Sequence, residues 1–128
     1  MTPEIKQLEA LVTDWTKVPI ENLPDNIERQ MIVGKNIMIC RLKFPPHTIT
    51  TPHDHPHEQM TLVVKGKVRF FIDGVENIVS AGDVLHFPPH NRHGATMMDE
   101  EVVLESAVLR PLLKGREMKR FAPRPPRK

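Results

Sequence analysis

Two periods of hydrophobic recurrence divide this chain of 128 residues. Near the start, Ile5, Leu8, Leu11, Val12 and Trp15 follow helical spacing behind Thr2 and Pro3, a capping residue and a first-turn proline. That pattern predicts one short amphipathic helix, and "VPIENLPDN" after it reads as a loop. From about Arg29 the period changes to two. "QMIVGKNIMICRLKF" predicts two strands around a Gly34-Lys35-Asn36 turn, with Met38, Cys40, Leu42 and Phe44 on one face. "FPPH" breaks the run, "TITTPHDH" resumes it, "QMTLVV" follows, and Gly66 turns the chain into "KVRFFI". Asp73-Gly74 is a type I′ hairpin signal. "VENIVS" leads to an Ala81-Gly82-Asp83 turn, then "VLHF", the loop "PPHNRHG" and a last strand about "VVLESAVL". Eight or nine short strands with turn signals between them and no intervening helices predict an all-β sandwich or barrel.

Composition adds little to that picture and excludes several others. Thirteen prolines against five Phe, one Trp and no Tyr fit a turn-rich β fold. No apolar stretch approaches the length of a membrane span, and the N-terminus lacks the basic-then-apolar pattern of a secretory signal. Cys40 is the single cysteine, which rules out an internal disulfide, and its place in an alternating strand predicts a buried, inert thiol. These features together predict a cytoplasmic location. "MTLVV" and "VRFFI" are apolar on both parities, so the outer face of the sheet needs a cover. The N-terminal helix supplies part of one, and a second subunit packed sheet to sheet is the economical remainder, which predicts a homodimer.

The net charge of +2 conceals an asymmetry. From Arg110 onward there are eight basic residues against the single acid Glu117, so residues 1–109 carry a net charge of −5. The tail holds one aromatic, Phe121, and no RNA-binding pattern, so nucleic acid is not an expected partner. Its Pro123-x-x-Pro126 run matches a polyproline ligand, but a solvated end is the simpler expectation. The predicted organisation is a helix and loop packed on the barrel (1–28), a β-barrel (29–110) and a basic, proline-rich tail (111–128).

The chemistry concentrates in "TPHDHPHEQMTLVV". Residues i and i+2 of an extended strand project to one side with Cα atoms roughly 6.5–7 Å apart. Metal–imidazole bonds are about 2.0–2.1 Å, so His53 and His55 can converge on one ion. Gln59 lies beyond Pro56 at the start of the next strand, where its amide oxygen can face the same interior. A further ligand must come from a distant strand, and His93 is the candidate. A polar surface strand is the alternative to half a metal site.

With those residues in view, the chain resembles the cupins. His53-Asp-His55-Pro-His57-Glu-Gln59, six residues and Gly66 resemble the first cupin motif. Gly82, five residues, Pro88 and later His93 resemble the second. Gln59 stands where glutamate is usual, and His90 where a glycine is expected. The resemblance covers about residues 31–109 and implies a double-stranded β-helix, or jelly roll. It also implies a single divalent transition metal (Fe, Mn, Ni, Co or Zn) held by His53, His55, Gln59 and His93. The "HPHEQ" version is similar to that of the KdgF-type cupins of pectin and uronate breakdown, which implies ring opening of unsaturated uronates. That likeness also points to Glu105 as the acid of the last strand, although the Phe and Arg that accompany it are out of register. His57 is a candidate acid or base. Glu58, of opposite parity to Gln59, is expected outside, and His47, His86 and His90 are read as surface or loop residues.

Three neutral imidazoles and a neutral amide leave a divalent ion its full charge, where a glutamate would cancel part of it. The set therefore favours Lewis-acid chemistry on a small oxygen-rich substrate by an isomerase, cyclase or lyase. A dioxygenase of a small substrate and a non-catalytic sugar-binding module are the alternatives.

Overall fold

The computed structural model describes residues 10–54 and 56–109. Nine strands form there: β1 (Glu21–Asn22), β2 (Glu28–Val33), β3 (Ile37–Phe44), β4 (Gln59–Lys65), β5 (Lys67–Ile72), β6 (Val75–Ser80), β7 (Val84–Phe87), β8 (His93–Met97) and β9 (Val102–Leu109). All ladders are antiparallel and make two sheets, of order β1-β2-β3-β9-β4-β7 and β6-β5-β8. β9 enters the larger sheet between β3 and β4, so the end of the chain stitches its two halves together.

Period-two patterning builds the interior directly. Met38, Cys40, Leu42 and Phe44 all turn inward on β3 and are buried. They join Leu104 and Val108 of β9, Val68 and Phe70 of β5, and Ala95 and Met97 of β8 in one apolar cluster that draws on both sheets. Two sheets packed through alternate residues in this way form a jelly-roll sandwich. Burial pushes the Cys40 thiol up to about 12, so it stays protonated and unreactive in the core.

The turns follow their residues. Asp73 and Gly74 both have positive φ, 50° and 82°, as a type I′ hairpin requires. Gly66, at φ 89°, joins β4 to β5 where an added Cβ would lie 2.4 Å from the carbonyl oxygen of Glu101. Only glycine fits both that backbone conformation and that approach.

Four elements differ from the sequence expectation, the smallest being "VPIENLPDN", read as a loop, which holds β1 and a 3₁₀ turn at Pro24–Asn26. The N-terminal helix is, within the described residues, a single 3₁₀ turn, Trp15–Lys17, and Leu11 and Val12 are exposed. Asp14 is extended, and its carboxylate accepts from the Thr16 backbone N–H, a local bond that starts a turn and competes with a continuing helix. The rest of the expected helix lies outside the described residues. The turn still packs on the barrel: the Gln30 amide donates to the carbonyls of Trp15 (2.7 Å) and Val18 (2.9 Å), and Arg41 sits over the Trp15 ring. Next, "TITTPHDH" is not a continuous strand. It runs along β8 through isolated bridges, Ile49 to Thr96 and His53 to His93, with Pro52 unable to donate between them. Last, hydrophobic patterning does not mark β8, because Gly94 and Ala95 are poor strand formers; the only sign of a strand there is the expectation that His93 reaches the site from a distant one. No helix among the described residues is long and apolar enough to cross a membrane.

Candidate metal centre

β8 and the segment before β4 bring two imidazoles face to face. His53 and His93 exchange both backbone hydrogen bonds, N–H to carbonyl at 2.9 Å in each direction. Directly opposed residues of an antiparallel pair project to one side, and the two rings lie with centroids 4.7 Å apart, tilted by 58°. The approach depends on Gly94. A Cβ there would come within 3.0 Å of Pro52 Cα and N and 3.1 Å of the Thr50 carbonyl oxygen. Thr50 holds the same segment down: its N–H donates to the Ala95 carbonyl and its hydroxyl accepts from the Ala95 N–H, both at 2.8 Å.

The two rings share one orienting device. Nδ1 of His53 lies 3.2 Å from the Thr51 carbonyl oxygen, and Nδ1 of His93 lies 3.1 Å from that of Asn91. A carbonyl only accepts, so each Nδ1 carries the hydrogen and each Nε2 the lone pair of the neutral ring. Histidines that bind metals are set up in this way, with the other ring nitrogen donating to a carbonyl or carboxylate. Phe87 of β7 stacks flat on His93, with centroids 3.9 Å apart and planes 14° from parallel, which fixes the ring's plane. His93 is buried and His53 half-buried.

The larger sheet supplies the opposite wall. Gln59 opens β4 with its side chain inward and buried, and it lines the same cavity as His53 and His93. Its Nε2 donates to the Thr61 hydroxyl at 2.9 Å and reaches the Ser106 hydroxyl at 3.4 Å. Those two hydroxyls are themselves hydrogen-bonded at 2.8 Å. Leu42, Phe44, Phe70 and Leu104 complete an apolar surround.

The expected site residues divide accordingly. His53, Gln59 and His93 meet at one cavity, and His55 lies outside the described residues. Among the described residues, no three His, Cys, Asp or Glu side chains form a cluster that could hold a metal; the convergence is of two imidazoles and an amide. The donors fit a divalent ion of the imidazole-binding kind: with Nδ1 of each ring turned to a carbonyl, the neutral ring offers Nε2 to a metal, and an amide oxygen is a further neutral donor.

His57 is wholly buried in the bend ahead of β4, but it is not among the residues lining the cavity. Glu105 is a correction to the expected geometry. It points away from the cavity, half-buried on the outer face of β9, and pairs with Arg41 across the ladder at 2.8 Å. Its neighbours Leu104 and Ser106 occupy the inward parity. Glu58 is exposed, with its carboxylate in hydrogen-bonding contact with the His86 ring on the surface, and His47 and His90 are exposed. Thr61 and Ser106 were missed from the sequence. Each is a polar residue on an inward parity, Thr61 between Gln59 and Val63 on β4 and Ser106 between Leu104 and Val108 on β9, and that is the available signal.

The fold and cavity define a class: a small jelly-roll barrel with a histidine-and-amide pocket between its sheets. The chain belongs to the cupin domain family, whose model matches residues 40–105. A relative, "Pectin degradation protein KdgF" of Dickeya dadantii (strain 3937), is 32% identical over 91 residues, covering 69% of this chain and 82% of that protein. Among solved structures, an RmlC-like cupin from Shewanella frigidimarina NCIMB 400 matches with a TM-score of 0.72 at 26% identity, over 79% of this chain and 91% of that one. KdgF from Halomonas sp. shares the fold, with a TM-score of 0.70 at 23% identity over 75% of this chain and 91% of that one. This chain is a small cupin similar to the KdgF type.

Proposed function

We propose that this cupin is a metal-dependent, non-redox enzyme that opens or isomerises a small oxygen-rich molecule, with unsaturated uronates as the first substrate class to test. One observation carries the reading: His53 and His93, each fixed by its Nδ1–carbonyl contact, face the same cavity as the Gln59 amide. The ligand set is His53, Gln59 and His93, with His55 as the third imidazole. A divalent ion there supplies Lewis-acid polarisation of a bound oxygen. The protein's part is to hold that charge without neutralising it, because every donor in the set is uncharged. The apolar walls Leu42, Phe44, Phe70 and Leu104 exclude bulk water and so strengthen the field at the reacting oxygen. The name of the pectin-degradation relative supports a uronate substrate.

The test has two stages. Protein purified without chelator is expected to carry close to one transition-metal ion per chain by elemental analysis. That protein is then expected to consume 4,5-unsaturated uronates, followed by loss of their ultraviolet absorbance, without taking up oxygen. Oxygen uptake would replace this reading with a dioxygenase, and ligand binding without turnover would replace it with a binding module.

We also propose a cytoplasmic homodimer whose protomers meet through the outer face of the larger sheet. Support comes from exposed apolar residues in adjoining register: Ile37 opposite Leu109, and Leu62 opposite Val84, with Met60 next to Leu62 on β4. Isolated exposed residues of this kind are ordinary, but several on one sheet face, flanking the Arg41–Glu105 pair, favour a docking face. Light scattering is expected to give twice the chain mass, and Leu62→Lys is expected to give monomers. A parent protein that is already monomeric at micromolar concentration would remove the proposal.

A further inference from the structure

Beyond the ligands themselves, and resting on the metal-centre reading above, we propose that Thr61 and Ser106 are positioning residues: their paired hydroxyls decide which end of the Gln59 amide is presented to the cation. An amide has two unlike ends of nearly the same shape. Only the oxygen can bind a metal, while the NH2 end offers hydrogens that a cation repels. Something must therefore hold the amide against a rotation that its shape alone allows.

The hydroxyl pair has the geometry to do this. Thr61 and Ser106 are direct cross-strand partners on β4 and β9, so the backbone ladder sets their separation. Their oxygens lie 2.8 Å apart, and Gln59 Nε2 sits 2.9 Å from Thr61 Oγ1 and 3.4 Å from Ser106 Oγ. All three side chains are buried. One hydroxyl hydrogen is spent on the other hydroxyl, and the remaining lone pairs face the amide nitrogen and accept from it. The second hydroxyl hydrogen could donate to a turned amide oxygen, but that turn would point the NH2 hydrogens at the cation and away from their acceptors, which is costly in a buried site. Pair and cation together therefore hold nitrogen toward the hydroxyls and oxygen toward the ion. Gln59 and Thr61 lie two apart on one strand, so the ligand and the residue that orients it share a face and move together.

The experiment uses Co²⁺ as the probe, because its visible absorption reports on the identity and geometry of its donors. Thr61→Val keeps the branched shape and removes the acceptor. It is expected to weaken Co²⁺ binding roughly tenfold or more, the scale of orienting contacts around metal ligands, and to change the visible spectrum. Thr61→Ser restores the hydroxyl and is expected to return both to the parental values, a rescue that loss of packing alone would not give. Ser106→Ala, which removes the longer contact, is expected to act in the same direction more weakly. If Thr61→Val does not fold, Ser106→Ala decides: parental affinity and spectrum in it overturn the proposal. So do parental values in Thr61→Val, or failure of Thr61→Ser to rescue. His93→Ala is run beside them to separate the two readings. If it binds Co²⁺ as tightly as the parent, the metal centre itself is misassigned and both readings fall. If it loses Co²⁺ while Thr61→Val and Ser106→Ala do not, only the positioning role falls.

Discussion

On the proposed metal-centre reading, replacing His93 by alanine is expected to leave a folded barrel that no longer holds a metal. The substitution removes one neutral imidazole donor and, with it, the ring stacked on Phe87. Contacts that merely orient a ligand change metal affinity by about 10–100-fold, so deleting a ligand outright should cost more than the upper end of that range. Metal content after dialysis should then fall below about a tenth of the parental value. His53→Ala is expected to do the same to metal content. The two should differ in stability. His93 is buried and packed on an aromatic face, so its loss leaves a cavity costing about 1–3 kcal/mol in urea unfolding of the metal-free proteins. His53 is half-buried, and its loss should cost less than about 1 kcal/mol. Equal loss of metal with unequal loss of stability is the signature of two ligands held in different surroundings. Full metal stoichiometry in both variants would show that the ion, if one is bound, sits elsewhere.

How far the sequence discloses this structure depends on whether the relevant force is local. The hairpins were legible because period-two patterning and turn chemistry act over a few residues: Asp73-Gly74 needs positive φ wherever it stands, and Met38, Cys40, Leu42 and Phe44 share a face in any strand. β8 was not legible for the opposite reason. Gly94 and Ala95 argue against a strand locally, and the justification for Gly94 is a neighbour more than forty positions earlier, the backbone of Thr50 and Pro52. The N-terminal turn differs for a local reason. Helical spacing of apolar residues was present, but Leu11 and Val12 are exposed, and the Asp14 carboxylate capped a 3₁₀ turn instead.

The site was legible to a different depth for each residue. His53, Gln59 and His93, which meet at one cavity, are marked by strand parity and by their polarity beside apolar runs, and the resemblance adds the two motifs that join them. The same resemblance points to Glu105 against its own parity. Leu104 and Val108 are the inward, apolar residues of β9, and that alternation alone turns Glu105 outward toward Arg41. Applied to Ser106, the same rule would have found a buried hydroxyl, and applied to Thr61, its partner. Parity was the better guide wherever the two disagreed.

The second large effect is expected from a residue with no side chain. In Gly94→Ala the added methyl meets Pro52 Cα and N at 3.0 Å and the Thr50 carbonyl at 3.1 Å, all of them backbone atoms. A flexible side chain could step aside, whereas here the segment itself must move by a few tenths of an ångström or more. That segment carries both the Thr50 clamp on Ala95 and the His53 bridge to His93. Its displacement therefore separates the two imidazoles, although the methyl touches neither ring. Overpacking of this kind costs about 1–3 kcal/mol of stability, leaving a barrel that folds. Metal affinity is expected to fall roughly tenfold, on the scale of a disturbed orienting contact, when measured by competition with a chelator. Since every ligand is still present, the loss would arise from spacing alone. A Gly94→Ala protein that loses stability yet binds metal as the parent does would show that the segment yields without carrying His53 with it. The close approach at Gly94 would then serve packing, and the distance between the two rings would be set from the larger sheet.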